Sequence, residues 1–226
     1  AAGKYLSVLM EAEGRGTVHS YLRQQGWVTS FEAGVQVSAQ TFSLFTVEAA
    51  LTPRGMEHVD DIVSAIYQYI AFVREFGVEK WRFDEMAKIA QTNFEWKPLQ
   101  RAQKYVSALS SSMRWVEPRH WVTARSLFYQ WNEQEVRTLL EYLNPDNMVL
   151  FVSAKKIGQK TGVTLNQTEE NYGIAFAAQR LQVDRLERFK QYSQTGQRDF
   201  LGVFSEQSSI QLPVANQWIA SDAALA

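Results

Sequence analysis

The sequence has no cysteine, five prolines, three histidines and no long apolar run. Each shortage excludes something. Without cysteine there is no disulfide scaffold, no thiolate metal site and no thiol nucleophile. The same absence suits a reducing compartment, and the expected location is the cytoplasm. The most apolar stretch, 64–73, is broken by polar residues, whereas a transmembrane helix needs about 20 apolar residues. No contact with a membrane is expected. His19, His58 and His120 stand too far apart for an H-x-x-x-H or H-x-x-E-H pair. No G-x-S-x-G elbow appears. Gly14-Arg15-Gly16 lacks the Lys-Ser/Thr of a phosphate loop and reads as a turn between helices. An excess of one charge is lacking too: 23 Lys+Arg face 24 Asp+Glu, for a net charge of −1. That leaves no basic footprint for nucleic acid and no like-charge block of a disordered tail.

What is present is enough to fold. The chain has 226 residues, 46% of them hydrophobic and 13% aromatic, room for one large domain or two small ones. It does not begin with Met and carries no basic-then-apolar leader. Both ends read as cuts in a longer protein.

Apolar spacing predicts a short helix over 5–12 and a second over 18–25, N-capped by Thr17 and stopped by Gly26. Alternation then predicts strand structure over 27–40 and 42–49. In the latter, Phe42 and Leu44 share one face, and Phe45, Val47 and Ala49 the other. A strand apolar on both faces is covered twice or sits at an interface. Thr52-Pro53 reads as an N-cap with proline in the first turn. The i, i+3, i+4 set Met56, Val59, Ile62, Val63, Ile66, Ile70 and Val73 extends that helix to Gly77. Further helices are predicted over 79–96, 100–110, 120–125, 133–143 and 183–192. Strands are predicted at 148–153 and 171–177, and 212–218 reads as extended. Composition turns polar and Gly/Gln/Thr-rich at residue 155, and 194–209 is polar again. The expected division is 1–154 for an α/β core and 155–226 for a linker and the start of the next domain.

Little in this inventory carries chemistry. His58, with Glu57, Asp60 and Asp61 beside it, reads as a solvated helix start whose acids suit the dipole. His19 reads as a surface or packed histidine, and His120 as structural. Trp81, Trp96, Trp115, Trp121 and Trp131 lie in or beside helices and read as core. No catalytic constellation and no metal site emerges.

A resemblance extends this reading. The stretch from Glu13-Gly14-Arg15-Gly16-Thr17 to Gly26-Trp27-Val28 resembles the E-G-x-G-S-L-x-x-x-L-x-x-x-G-W signature of the insulinase/pitrilysin family of zinc metallopeptidases, in their second homologous domain. Leu51-Thr52-Pro53-Arg54-Gly55 with His58-Val59-Asp60-Asp61-Ile62 is similar to the family's L-T-x-x-G … H-V-x-D-I. Tyr67-Gln68-Tyr69-Ile70 also fits. Leu143-Asn144-Pro145-Asp146-Asn147 resembles its L-x-P-x-N, and Thr168-Glu169-Glu170-Asn171-Tyr172-Gly173 its T-E-x-W-Y-G. Leu212-Pro213 with Asn216-Gln217-Trp218-Ile219 resembles L-P-x-x-N-x-F-I-P. The matches are collinear from about residue 5 to 219.

The resemblance implies an α+β fold of the insulinase type: two layers, a mostly antiparallel sheet against long helices, with its first strands missing. A bare sheet edge would then favour a homodimer. The family's zinc motif, H-x-x-E-H, is absent, so the resemblance implies zinc in a longer parent enzyme and none bound here. It implies a chamber wall and an exosite that grips a peptide substrate by adding a strand, beside the parent's other domains. The exosite would comprise Phe31, Glu32, Ala33, Gly34 and Val35 on the edge, with Val8 and Glu11 on a facing helix. Insulin-degrading members carry histidines and glycines on that helix, where this chain has Lys4, Ser7, Val8 and Glu11. Glu11 and Glu32 are expected to meet a substrate's amino terminus. The other expectation is a noncatalytic homologue that binds peptides or a partner protein.

Overall fold

A computed structural model describes residues 2–38, 42–194, 199–200 and 209–219. The expected strand positions Ala39 and Gln40, most of the polar 194–209 stretch and the last seven residues lie outside that description.

The chain opens with helix α1 (Ala2–Glu11) and helix α2 (Val18–Gln24). The turn between them is built as the sequence predicts. Thr17 is the N-cap, with its hydroxyl accepting from the Ser20 N–H and donating to the Gly14 carbonyl. Gly16 sits at φ +82°, and a Cβ there would strike Ser209 and Gln211 of the returning chain. The Gly16 carbonyl accepts from the Gln211 N–H at 2.9 Å.

Strands β1 (Val28–Ser38) and β2 (Ser43–Leu51) form a two-stranded antiparallel sheet, with Phe31 opposite Ala49, Glu32 opposite Glu48 and Ala33 opposite Val47. The two faces of β2 differ. Phe45, Val47 and Ala49 pack on the core, while Phe42 before the strand and Leu44 within it are exposed. No second layer covers that face among the described residues.

The helix expected to begin at Pro53 is divided. A 3₁₀ turn, Gly55–His58, precedes α3 (Val59–Phe76). The Thr52 hydroxyl accepts from the Gly55 N–H at 2.9 Å. Gly55 lies so close to the Trp27 carbonyl that any Cβ would overlap it, and the chain tightens there before His58 leaves helical geometry at φ −118°.

α3 is the spine of the core. Ile62, Val63, Tyr69, Ile70 and Val73 are buried with Tyr5, Leu6, Leu9, Val18, Leu22 and Trp27. Two buried tyrosines fix α1 to it: the Tyr69 hydroxyl donates to the Leu9 carbonyl at 3.0 Å, and the Tyr5 hydroxyl donates to the Gly77 carbonyl. Desolvation pushes both phenols above their ordinary value, so they remain neutral donors.

α4 (Lys80–Glu95) is anchored by Phe83 and Met86, and α5 (Ala102–Met113) follows. A 3₁₀ turn, Pro118–His120, replaces the helix expected at 120–125. α6 (Glu133–Tyr142) is capped by Asn132 and buries Val136 and Leu140. Short helix α7 (Ile157–Thr161) interrupts the expected linker. β3 (Gln167–Thr168) and β4 (Ala175–Phe176) form a minimal hairpin, shorter than the strand expected at 171–177. α8 (Val183–Gln194) returns to α3 and buries Phe189 against Tyr67.

That return is held by charge as well. Arg185 pairs with Asp60, and Arg188 with Asp61. Arg74 of α3 donates to the Leu140 and Ser193 carbonyls, at the ends of α6 and α8, where a cation suits the helix dipole.

Two sequence readings are corrected. Residues 148–153 form no ladder; Val149 and Phe151 stand 75% and 87% exposed. A continuously apolar run makes a strand only where a neighbour supplies hydrogen bonds on one side and apolar cover on both faces, and none does so among the described residues. Trp81, Trp96 and Trp115 are exposed rather than core, Trp96 at 61%. Their outer faces find no apolar cover among the described residues, and Trp81 and Trp115 lie beneath Arg82 and Arg114 instead. Trp131 does join the core, against Tyr5 and Phe83. No helix among the described residues is long and apolar enough to cross a membrane.

Candidate functional site

The main candidate lies beside β1. This strand has β2 on one edge and no strand on the other among the described residues. The Ala33 N–H points to that open edge, since it donates to Glu11 Oε1 at 3.0 Å instead of pairing with β2. In an antiparallel ladder, residues two apart direct their backbone groups the same way. Phe31, Ala33 and Val35 therefore present N–H and C=O outward.

A cavity of about 490 Å³ opens along this edge, lined by Glu11, Glu13, His19, Arg23, Thr29, Ser30, Phe31 and Glu32. Four pieces of chain meet there: the end of α1, the α1–α2 turn, α2 and the start of β1. The two glycines of the turn allow α2 to fold back beside the strand, which brings Glu13 and His19 to the edge. His19 is 6% exposed and stacks on Phe31 with ring centroids 5.8 Å apart. Neither of its ring nitrogens has a hydrogen-bond partner among the described residues. Glu13 Oε1 stands 3.9 Å from Nδ1, in ion-pair range but too far for a hydrogen bond.

Of the seven residues expected at an exosite, Glu11, Phe31 and Glu32 line the cavity. Ala33 adjoins it through its bond to Glu11. Gly34 and Val35 do not line it: a Cβ on Gly34 would sit 3.1 Å from the Ser7 hydroxyl, and one on Gly3 would strike Val35. α1 thus covers β1 at that end. Val8 is exposed on α1, away from the cavity lining. Sequence reasoning passed over Glu13 and Arg23 and took His19 as bland. The available signal was Glu13 ahead of the two turn glycines, with His19 one residue into the helix they start.

His58 is not the solvated residue expected. It stacks on Trp27 with centroids 4.8 Å apart, and Nδ1 lies 2.8 Å from Asp61 Oδ2. Burial raises the Asp61 carboxyl, but hydrogen bonds from His58 and Arg188 and the Arg188 charge outweigh it, so the net shift is downward. This cluster joins α3 to α8 and is explained by that role. His120 packs against Tyr129 with the rings tilted at 48° and centroids 4.5 Å apart. Among the described residues, no three His, Asp or Glu side chains converge where a metal ion could sit. The described residues do not fit a zinc ion.

The fold has known counterparts. The fold matches the crystal structure of pitrilysin with a TM-score of 0.81 at 22% identity, over 98% of this chain and 22% of that one. A family model described as the middle or third domain of peptidase M16 matches residues 94–226, and one described as the peptidase M16 inactive domain matches residues 1–89. The chain belongs to the peptidase M16 family. It is 28% identical over 222 residues to a nardilysin-like protein of Arabidopsis thaliana, covering 96% of this chain and 20% of that protein. It is 26% identical over 220 residues to insulin-degrading enzyme of Homo sapiens, covering 97% and 20%. The chain thus spans about a fifth of the length of the relatives it matches. The two models meet at residues 89–94, within α4; the composition shift at residue 155 falls inside the second match.

Proposed function

We propose that this chain is a noncatalytic part of an insulinase-type zinc endopeptidase, where it forms part of the chamber wall and docks substrate. Zinc and the reacting groups belong to other parts of the longer enzyme. The chain's own role is to hold a peptide in extended form along the open edge of β1. One observation carries this reading: the outward Ala33 N–H, answered by the movable carboxylate of Glu11 rather than by a strand. A peptide carbonyl can take that place, and Phe31 and Ala33 extend the ladder by strand addition. Glu11 and Glu32 place negative charge along that edge, where it favours a cationic group of the substrate. The exposed apolar side chains Trp96, Leu99, Val106 and Trp115 on and around α4 and α5 are surfaces for the enzyme's other domains.

The test is hydrogen exchange by NMR on the 226-residue chain with an extended peptide added. Strand addition slows exchange at the Phe31 and Ala33 amides and leaves β2 amides as they were. Saturable binding without protection at those two positions would refute edge docking.

A further inference from the structure

We propose that the cavity beside β1 is a specificity pocket for a basic side chain, Lys or Arg, of the docked peptide. The inference rests on the strand-docking reading above and adds the chemistry that chooses among peptides.

The first support is charge. Glu11, Glu13 and Glu32 come from three separate pieces of chain to one cavity, and Arg23 is the single Lys or Arg in its lining. The second is His19, less than a tenth exposed in that same lining and with both ring nitrogens unanswered. Each ring nitrogen donates or accepts according to the tautomer, and a buried, unanswered one calls for a hydrogen-bonding partner. The third is size. A cavity of about 490 Å³ is far larger than an ammonium group needs, and it accepts an extended Lys or Arg side chain. Phe31 gives it an apolar wall for the methylene stem. Strand geometry delivers the side chain, because alternate residues of an added strand project to the same side. The carboxylates and His19 do not converge as metal ligands, so the charge suits an organic cation held by several hydrogen bonds.

Glu11 links the pocket to the edge. While its Oε1 accepts from Ala33, the edge is occupied by the protein itself. A docking strand displaces that carboxylate, and a basic side chain gives it a new partner.

Three fluorescent octapeptides of otherwise uncharged sequence test the idea on the whole chain by anisotropy. One is N-acetylated with a central Lys. The second is N-acetylated with norleucine there. The third has norleucine and an unblocked amino terminus. The acetylated Lys peptide is expected to bind about tenfold more tightly than its norleucine twin at low salt. Glu13→Gln/Glu32→Gln is expected to erase most of that advantage, with circular dichroism confirming the fold. Equal affinity of the two acetylated peptides overturns the pocket and leaves strand docking standing. An advantage seen only for the unblocked terminus overturns it too, because the cavity then takes an amino terminus. If no peptide binds, the docking reading falls along with it.

Discussion

Removing the Glu11 carboxylate should shift peptide affinity in opposite directions for two kinds of peptide. Glu11 is half-buried, with Oε1 3.0 Å from the Ala33 nitrogen. A hydrogen bond to a charged group is worth about 1.5–3 kcal/mol net, and a neutral amide bond about 0.5–1.5. An uncharged peptide that docks on the edge loses the first and gains the second. It therefore docks against a penalty of roughly 1 kcal/mol, after allowance for the partial exposure of Glu11. Glu11→Ala lifts that penalty. The uncharged peptide should bind about fivefold more tightly, given tenfold per 1.4 kcal/mol. A Lys peptide loses one of three carboxylates in the same substitution, so its advantage should shrink several-fold. The free protein also loses a tie between α1 and β1 and should melt about 2–4 °C lower for each kcal/mol. Anisotropy titrations with both peptides and a thermal melt decide it. An uncharged peptide that binds Glu11→Ala no better than the wild type would refute the claim that Glu11 occupies the docking edge.

Other consequences can be measured directly. Phe189 is fully buried where α8 meets α3, so Phe189→Ala should cost about 3–5 kcal/mol; calorimetry showing a loss below about 1 would mean that α8 does not dock there. The Asp61 carboxyl is lowered in the fold, so its contribution is full above the ordinary carboxylate range and fades as pH falls through the lowered value. Asp61→Asn should therefore narrow the stability gap between pH 7 and pH 3 in urea titrations, and an unchanged gap would count against the Asp61–Arg188 tie. Gly55→Ala forces a Cβ into the Trp27 carbonyl, and chemical denaturation should show a loss of at least about 1 kcal/mol. Val149 and Phe151 lie bare on an extended segment; if they draw two copies together, sedimentation should show a dimer that Val149→Lys/Phe151→Lys returns to monomer.

The sequence disclosed elements wherever local physics decides them. Thr17 and Asn132 begin helices and Gly77 ends one because a hydroxyl, an amide or an absent Cβ meets a backbone group within a few residues. It misled where a distant neighbour decides. The apolar run at 148–153 has strand composition, but the ladder depends on another chain segment. Trp96 and Trp115 have core composition, but burial depends on what lies opposite. The 3₁₀ turn at Gly55–His58 follows from the close approach of Trp27, 28 residues earlier, which no helical period encodes.

The site was half legible for a related reason. The residues that carry the family resemblance are mostly structural. Gly14 and Thr17 shape a turn, Gly16 lets the returning chain pass, Trp27 and His58 stack, and Asn144 and Glu169 cap their own loops. Such residues recur because the scaffold needs them, and they report the fold irrespective of the substrate. The charges that would choose a substrate are of another kind. Glu13 lies inside the signature, but Glu11 and Glu32 lie outside it. Neither alone suggests a site. Glu11 at the end of an amphipathic helix and Glu32 on an alternating strand both read as solvent-facing. Their meaning depends on α1 ending beside β1, a contact between residues 22 apart that places Glu11 on the Ala33 amide. Family membership therefore fixes the scaffold of this chain, while its specificity has to be sought in the acidic residues that the scaffold brings to one edge.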